Sequence, residues 1–254
     1  MQTRRFVATG LRTLFGVPLL CLLLVSYSAL AVVLALAGAS VLQIQPLYLS
    51  LSRAFLRIAG TRLEVHGAER LEPGRAYVVV CNHESGWDPF CLVVGLPRLV
   101  IRFVAKQELV RIPIFGSALL RTGNVKVVRS DTSGDVQRLR EVMERRDPSV
   151  SILFFAEGTR SMDGTLGPFK TGAFVTAIVY GLPVLPVALA GTYAVWPKRT
   201  ARLRSGPVVL EVGTPIETAG IGIEDRGRLR DEARVAVAAL RERARAWLGE
   251  SSSG

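Results

Sequence analysis

The chain has 254 residues, 49% hydrophobic and 21% charged, a composition that excludes a disordered protein and fits one ordinary domain with an apolar addition. Three cysteines without a CxxC pair exclude a disulfide framework, and two histidines, His66 and His83, leave too few nitrogen ligands for a zinc or haem site. The net charge of +11 comes with only 7% aromatic residues and no basic recognition helix, so nucleic acid is not an expected partner.

Residues 1–62 hold six arginines and no acid, and residues 13–52 form 40 consecutive positions without a charge. One spanning helix needs roughly 20 apolar residues, so the stretch has length for one span plus an interfacial helix, or for two helices in a hairpin. Arg4, Arg5 and Arg12 precede it, and Arg53, Arg57 and Arg62 follow it. Matched basic flanks place both ends on one side of a bilayer, which favours a hairpin turning near residues 38–40, with Pro46 as a further break. Ala35-Leu36-Ala37 resembles a signal cleavage site, but the preceding apolar run exceeds the roughly 7 to 15 residues of a signal core. Residues 1–60 are thus expected to be membrane-associated, and 61–250 to form the soluble domain.

In the soluble part, strands are predicted over 63–65, 76–81, 152–155 and 184–188, the second (AYVVVC) continuous enough to be buried on both faces. Helices are predicted over 89–96, 135–145, 172–180 and 226–248. Strands alternating with helices indicate a three-layer α/β domain. The last helix is expected to be a solvated outer helix, with Leu229, Val237, Leu240 and Trp247 as its inward face.

The strand over 76–81 runs into Asn82-His83-Glu84-Ser85-Gly86-Trp87-Asp88-Pro89, where Asp followed by Pro makes a good helix start. Five residues along a single helix would separate His83 and Asp88 by about 140°. A strand–turn–helix path removes that obstacle: the carboxylate folds back to hold one imidazole nitrogen protonated and leaves the other as a base. The competing reading is an Asp that only caps the helix and a His satisfied in a turn. A second constellation, Phe155-Ala156-Glu157-Gly158-Thr159-Arg160-Ser161, ends a strand with a carboxylate, a glycine that admits close backbone approach and a guanidinium able to grip phosphate through paired hydrogen bonds. A plain Glu–Arg salt bridge is its alternative. The third, Gly123-Asn124-Val125-Lys126-Val127-Val128-Arg129, closes a stretch from 98 to 129 in which seven basic residues face one acid, Glu108. That excess calls for an anion, a solvated strand edge being the alternative.

Other chemistries lack their residues. Ser85 has no GxSxG elbow, Cys81 and Cys91 sit in apolar runs that disfavour a thiolate, and neither GxxxxGK nor GxGxxG is present.

Taken in order, these blocks resemble the glycerolipid acyltransferase family of the 1-acylglycerol-3-phosphate acyltransferase (PlsC) type. The NHx4D block is Asn82-His83 to Asp88, the second block is Gly123 to Arg129, the FPEGTRS block is Phe155 to Ser161, and the apolar-Pro-apolar block is Val184-Leu185-Pro186-Val187. Phe169-Lys170-Thr171-Gly172-Ala173-Phe174 is similar to the family's FKxGAF sequence. Ala156 replaces the usual Pro, and Val128 stands where an acid often precedes the Arg. The resemblance implies an α/β fold with a mixed central sheet flanked by helices and an N-terminal membrane-embedded helical segment. It implies transfer of a fatty acyl group from acyl-CoA or acyl carrier protein to the sn-2 hydroxyl of 1-acylglycerol-3-phosphate, giving phosphatidic acid, without cofactor or metal and without a covalent acyl-enzyme. His83 would be the base oriented by Asp88. Glu157, Gly158, Thr159 and Arg160 would surround the acceptor, with Arg129 at its phosphate and Lys106, in VAKQEL, as a further phosphate or donor contact. The implied partners are the lipid bilayer, a lysophospholipid and the acyl donor, and the implied place is the cell inner membrane with the soluble domain on its cytoplasmic face. Another lysolipid acceptor, such as lyso-ornithine lipid, and a non-enzymatic membrane-surface lipid-binding protein are the alternatives.

Overall fold

Short aliphatic runs pair into one seven-stranded sheet in a computed structural model that describes residues 9–128, 131–161, 165–197 and 200–251. The strands are β1 (Thr61–His66), β2 (Val78–Cys81), β3 (Val100–Lys106), β4 (Val125–Val127), β5 (Val150–Phe155), β6 (Val184–Ala190) and β7 (Gly206–Val212). Their order is β1-β7-β6-β2-β5-β3-β4. Every neighbouring pair is parallel except β6 and β7. The sheet is therefore mixed, as expected. The central strands β2 and β6 are buried at every residue, which is why they read as unbroken apolar runs. β3 and β7 escape the sequence pattern: the first is interrupted by Arg102 and the second begins with Gly-Pro.

Among the described residues, seven α-helices of seven or more residues cover the sheet and its edge: α1 (Val17–Leu36), α2 (Val41–Ala59), α3 (Asp88–Gly95), α4 (Phe115–Arg121), α5 (Thr132–Arg145), α6 (Gly172–Val179) and α7 (Arg226–Ser251). Alternation along β2 divides the core in two. Val79 and Cys81 point to the side of α2 and α3, where Phe55, Leu56, Ala59, Trp87 and Leu92 pack. Val78 and Val80 point to the opposite side, where Ala173 and Phe174 of α6 meet Leu229, Ala233, Val237 and Leu240 of α7. Trp247 departs from the expected inward face: it is 40% exposed and lies flat on the His66 ring, centroids 4.6 Å apart.

The N-terminal segment is a hairpin. Its first arm is a continuous helix from Thr9 to Leu36, long and apolar enough by length and composition to cross a membrane. The turn falls at residues 37–40, where Ser40 caps α2 in a reciprocal pair with Gln43. Tyr27 on α1 reaches Ser50 on α2 at 3.1 Å across the antiparallel arms. Pro46 does not break the chain as expected; α2 runs through it, because it sits early in the helix and removes one backbone hydrogen bond while the buried inner face holds the helix straight through. The first arm is fastened near its start, where the Leu203 N–H donates to Thr13 Oγ1 at 3.1 Å and Arg12 Nη1 donates to Ser205 Oγ at 3.1 Å.

α2 is fastened by Arg102. This side chain has no exposed surface, yet donates to the carbonyls of Thr122, Ile101 and Val41 at 2.6, 2.7 and 3.0 Å and to Gln45 Oε1 at 2.8 Å. Its guanidinium lies 4.8 Å from the centre of the Tyr48 ring. No carboxylate pairs with it among the described residues, and burial pushes its pKa down. The cation is held by carbonyl dipoles and an aromatic face, and in being so held it joins the hairpin to β3.

Candidate active site

The ladder sets Cys81 of β2 opposite Phe155 of β5 and Val187 of β6, so β2 and β5 end level with one another while β6 runs three residues further to Ala190. His83 and Glu157 each lie two residues beyond that line and meet at the carboxyl edge of the sheet, the usual place for a site in an open α/β sheet. Asn82 continues the ladder with its side chain. Its Nδ2 donates to the Leu189 carbonyl, and its Oδ1 accepts from the Leu189 N–H, both at 2.9 Å.

The turn over residues 82–87 brings Asp88 back to His83 as the sequence permits. Asp88 Oδ2 lies 2.7 Å from His83 Nδ1 and also accepts from the backbone N–H groups of Glu84 at 2.8 Å and Ser85 at 2.9 Å. A carboxylate held by two amides is an acceptor for the third contact, so Nδ1 carries the proton and Nε2 is the basic nitrogen. Asp88 Oδ1 is buried without a hydrogen-bond partner among the described residues, which leaves the carboxylate spare capacity to stabilise an imidazolium. The imidazole stacks on Phe155 with centroids 3.8 Å apart, fixing its plane.

Glu157 differs from the salt-bridge alternative. Its Oε1 accepts from the His83 N–H at 3.0 Å and its Oε2 from the Gly167 N–H at 2.8 Å, so both oxygens are engaged by backbone. The Ser161 N–H donates to the His83 carbonyl at 2.8 Å, a second tie between the two turns. Gly158 lies between them at φ 69°, a left-handed conformation that suits glycine. Arg160 comes close to the first turn: its Nη1 is 3.7 Å from where a β-carbon on Gly86 would stand. Thr159 is exposed beside it. Lys106 ends β3, opposite Val127 of β4 and three residues past the Phe103–Leu153 pair that joins β3 to β5. Arg129 lies outside the described residues.

Two features of this site were not anticipated from sequence. Glu84 turns away from the His83 side into the body, where Arg241 of α7 donates from Nε at 2.9 Å and from Nη2 at 2.7 Å to Glu84 Oε1. Both side chains are buried, and burial outweighs the arginine contact in raising the carboxyl pKa. A signal existed: Arg241 stands four residues after Val237 and three before Ala244, on the inner stripe of α7. The role of Phe155 as a platform for the imidazole was equally unannounced. The thiols of Cys81 and Cys91 are pushed up strongly by burial, which leaves neither as a nucleophile. Among the described residues no cluster of three potential metal ligands exists.

The chain is 31% identical over 65% of its length to a 1-acyl-sn-glycerol-3-phosphate acyltransferase of Cocos nucifera, and 32% identical over 69% to the alpha form of Homo sapiens. It spans 53% and 62% of those relatives respectively, little more than half of the plant protein. To the Pseudomonas aeruginosa enzyme of the same name it is 33% identical, covering 76% of this chain and 70% of the relative. The crystal structure of PlsC, the 1-acyl-sn-glycerophosphate acyltransferase of Thermotoga maritima, superposes with a TM-score of 0.76 at 25% identity, covering 93% of this chain and 96% of that one. A family model described as Acyltransferase matches residues 62–190, a span that takes in His83, Asp88, Glu157 to Arg160 and the Leu189 clamp, and the chain belongs to that family.

Proposed function

We propose that the protein transfers a fatty acyl group from acyl-CoA or acyl carrier protein to the sn-2 hydroxyl of 1-acylglycerol-3-phosphate, giving phosphatidic acid. The observation that carries this reading is the 2.7 Å contact between His83 and Asp88 at the strand edge that also presents Gly158, Thr159 and Arg160. His83 Nε2 takes the proton of the acceptor hydroxyl as its oxygen attacks the thioester carbonyl, and Asp88 balances the imidazolium. The tetrahedral intermediate then expels the thiolate, which recovers the proton from His83, so an ester and a free thiol leave. No side chain is acylated.

Arg160, with Arg129, Lys106 and the open turn at Gly158 and Thr159, holds the acceptor phosphate in this reading, while Glu157 keeps that turn in register with His83. Residues 1–60 seat the enzyme on the inner membrane and 61–250 carry out transfer on its cytoplasmic face. The apolar Thr9–Leu36 helix and the arginines on both flanks of the hairpin support that placement.

Purified protein in liposomes, offered lysophosphatidate and other lysolipids with acyl-CoA and with acyl carrier protein, tests the reading. Phosphatidate is the expected product; preference for another lysolipid moves the acceptor and keeps the chemistry, whereas tight lipid binding without transfer makes the chain a binding protein. In the same assay Arg160→Ala is expected to raise the acceptor KM by about tenfold or more with kcat little changed, the loss of a charge-assisted phosphate contact. An unchanged KM would make Arg160 structural.

A further inference from the structure

Between β3 and β4 the chain turns outward next to Lys106 and the site. Leu109, Ile112 and Ile114 are each 44% exposed and Leu120 is 46% exposed, four large aliphatic side chains within twelve residues. The segment is not slack. The N–H groups of Arg111, Ile112, Gly116 and Ala118 donate to the carbonyls of Gln107, Leu109, Ile112 and Ile114 at 3.1, 3.3, 2.8 and 2.9 Å. A β-carbon at Gly116 would collide with the Val110 carbonyl, so the turn before α4 is packed tightly. Ile114 has φ 64° and ψ −56°, with the Phe115 N–H bonded to the Pro113 carbonyl at 2.6 Å in a γ-turn. Such a conformation is strained for a β-branched residue, and here it presents the side chain outward. A fixed backbone thus holds apolar groups in an exposed position.

The neighbourhood identifies what they meet. Ala118 on the inner face of α4 is buried with Ala31 of α1 and Ile44 of α2, so α4 lies directly against the hairpin. The face of α1 away from Ala31 exposes Leu22, Val25, Val33 and Leu36, so α4 is packed on a helix that presents an apolar surface of its own. Arg111 and Arg121 are exposed at the rim, Arg121 Nε donating to Ser117 Oγ of its own helix at 3.3 Å. An apolar surface of this extent with a basic rim fits an anionic bilayer interface.

We propose that residues 109–120 form a second membrane-contacting surface, a lip that seats Leu109, Ile112, Ile114 and Leu120 at the acyl–headgroup boundary and holds the mouth of the site against the lipid. An acidic carrier protein would also meet Arg111 and Arg121, but it gives no reason for exposed aliphatic side chains on a segment packed directly against the apolar hairpin. The proposal rests on the reading of the hairpin as membrane-seated, and the test separates the two.

Native Cys21 is exposed on α1, whereas Cys81 and Cys91 are buried, so one environment-sensitive fluorophore on Cys21 reports the hairpin. The same fluorophore on a Cys21→Ser/Ile112→Cys variant reports the lip. With full-length protein and vesicles of phosphatidylglycerol and phosphatidylcholine, both labels are expected to brighten and shift to the blue, the lip label being quenched by nitroxides placed shallowly in the lipid. Leu109→Ser/Ile112→Ser is expected to lower turnover of vesicle-borne acceptor about tenfold while leaving turnover of detergent-dispersed acceptor unchanged. If Cys21 enters the bilayer and position 112 stays in water, the lip proposal falls and the hairpin reading stands. If neither enters, both fall. A response at 112 to acyl carrier protein and not to vesicles would make the lip a protein-docking surface and overturn the proposal.

Discussion

His83→Ala is expected to abolish acyl transfer while leaving the protein folded. A general base contributes about 10²–10⁴ in rate, and no other group at this edge replaces it: the Glu157 oxygens are occupied by backbone amides and both nearby thiols are suppressed by burial. Single-turnover rates on lysophosphatidate, alongside circular dichroism, check the expectation. Turnover at the wild-type rate in a folded variant would remove His83 as the base. Asp88→Asn should behave differently. It disturbs the hydrogen bonds from Glu84 and Ser85 as well as the imidazole, so stability falls along with rate.

The second large effect is on stability. Arg241→Met leaves Glu84 as a buried carboxylate with its two arginine hydrogen bonds gone, and breaking such a pair costs about 3–5 kcal/mol. The loss should depend on pH. With Arg241 removed, the folded state keeps a proton on Glu84 at pH values where the unfolded chain has already released it. Stability of the variant therefore declines as pH rises from the ordinary carboxylate range to the raised pKa, and the deficit relative to wild type narrows again on acidification. Urea denaturation in detergent at acidic and neutral pH measures this. Adding Glu84→Gln to Arg241→Met should recover much of the loss at neutral pH, since the unpaired charge is then gone. A deficit of equal size at both pH values, unrelieved by the second substitution, would mean that packing of the arginine stem and not the charge pair is what matters. Because Glu84 follows His83 directly and its N–H bonds Asp88, a drop in rate should accompany the drop in stability.

Local chemistry was legible where a few consecutive residues decide it. The continuous apolar run over 76–81 announced a doubly buried strand, and Asp88-Pro89 announced a helix start, so a strand–turn–helix path permitted the return of the carboxylate to His83, with a plain helix cap as the alternative. The apolar stretch over 13–52 allowed one span with an interfacial helix or a hairpin, and the matched arginine flanks favoured the hairpin with its turn near 38–40, where the structure has Ser40 capping the second arm. β3 was not legible, since Arg102 in its middle reads as solvent-exposed. Only the assembled fold supplies the three carbonyls, the Gln45 amide and the Tyr48 ring that make a buried cation tolerable there.

What the sequence determined by itself is the set of candidate groups and the turns that carry them: His83 with Asp88, and the glycine-opened loop from Glu157 to Arg160. Tertiary structure decided which of these meet. Strand order places β5 and β6 on either side of β2, so that Glu157 takes the His83 amide and Asn82 clamps Leu189. It also brings Arg241 to Glu84 from 157 residues away. The physical reason is the range of the forces that encode each feature. Turn geometry and helix capping are set by neighbours in the chain, whereas the pairing of buried polar groups follows from which faces are pressed together once the apolar surface is removed from water.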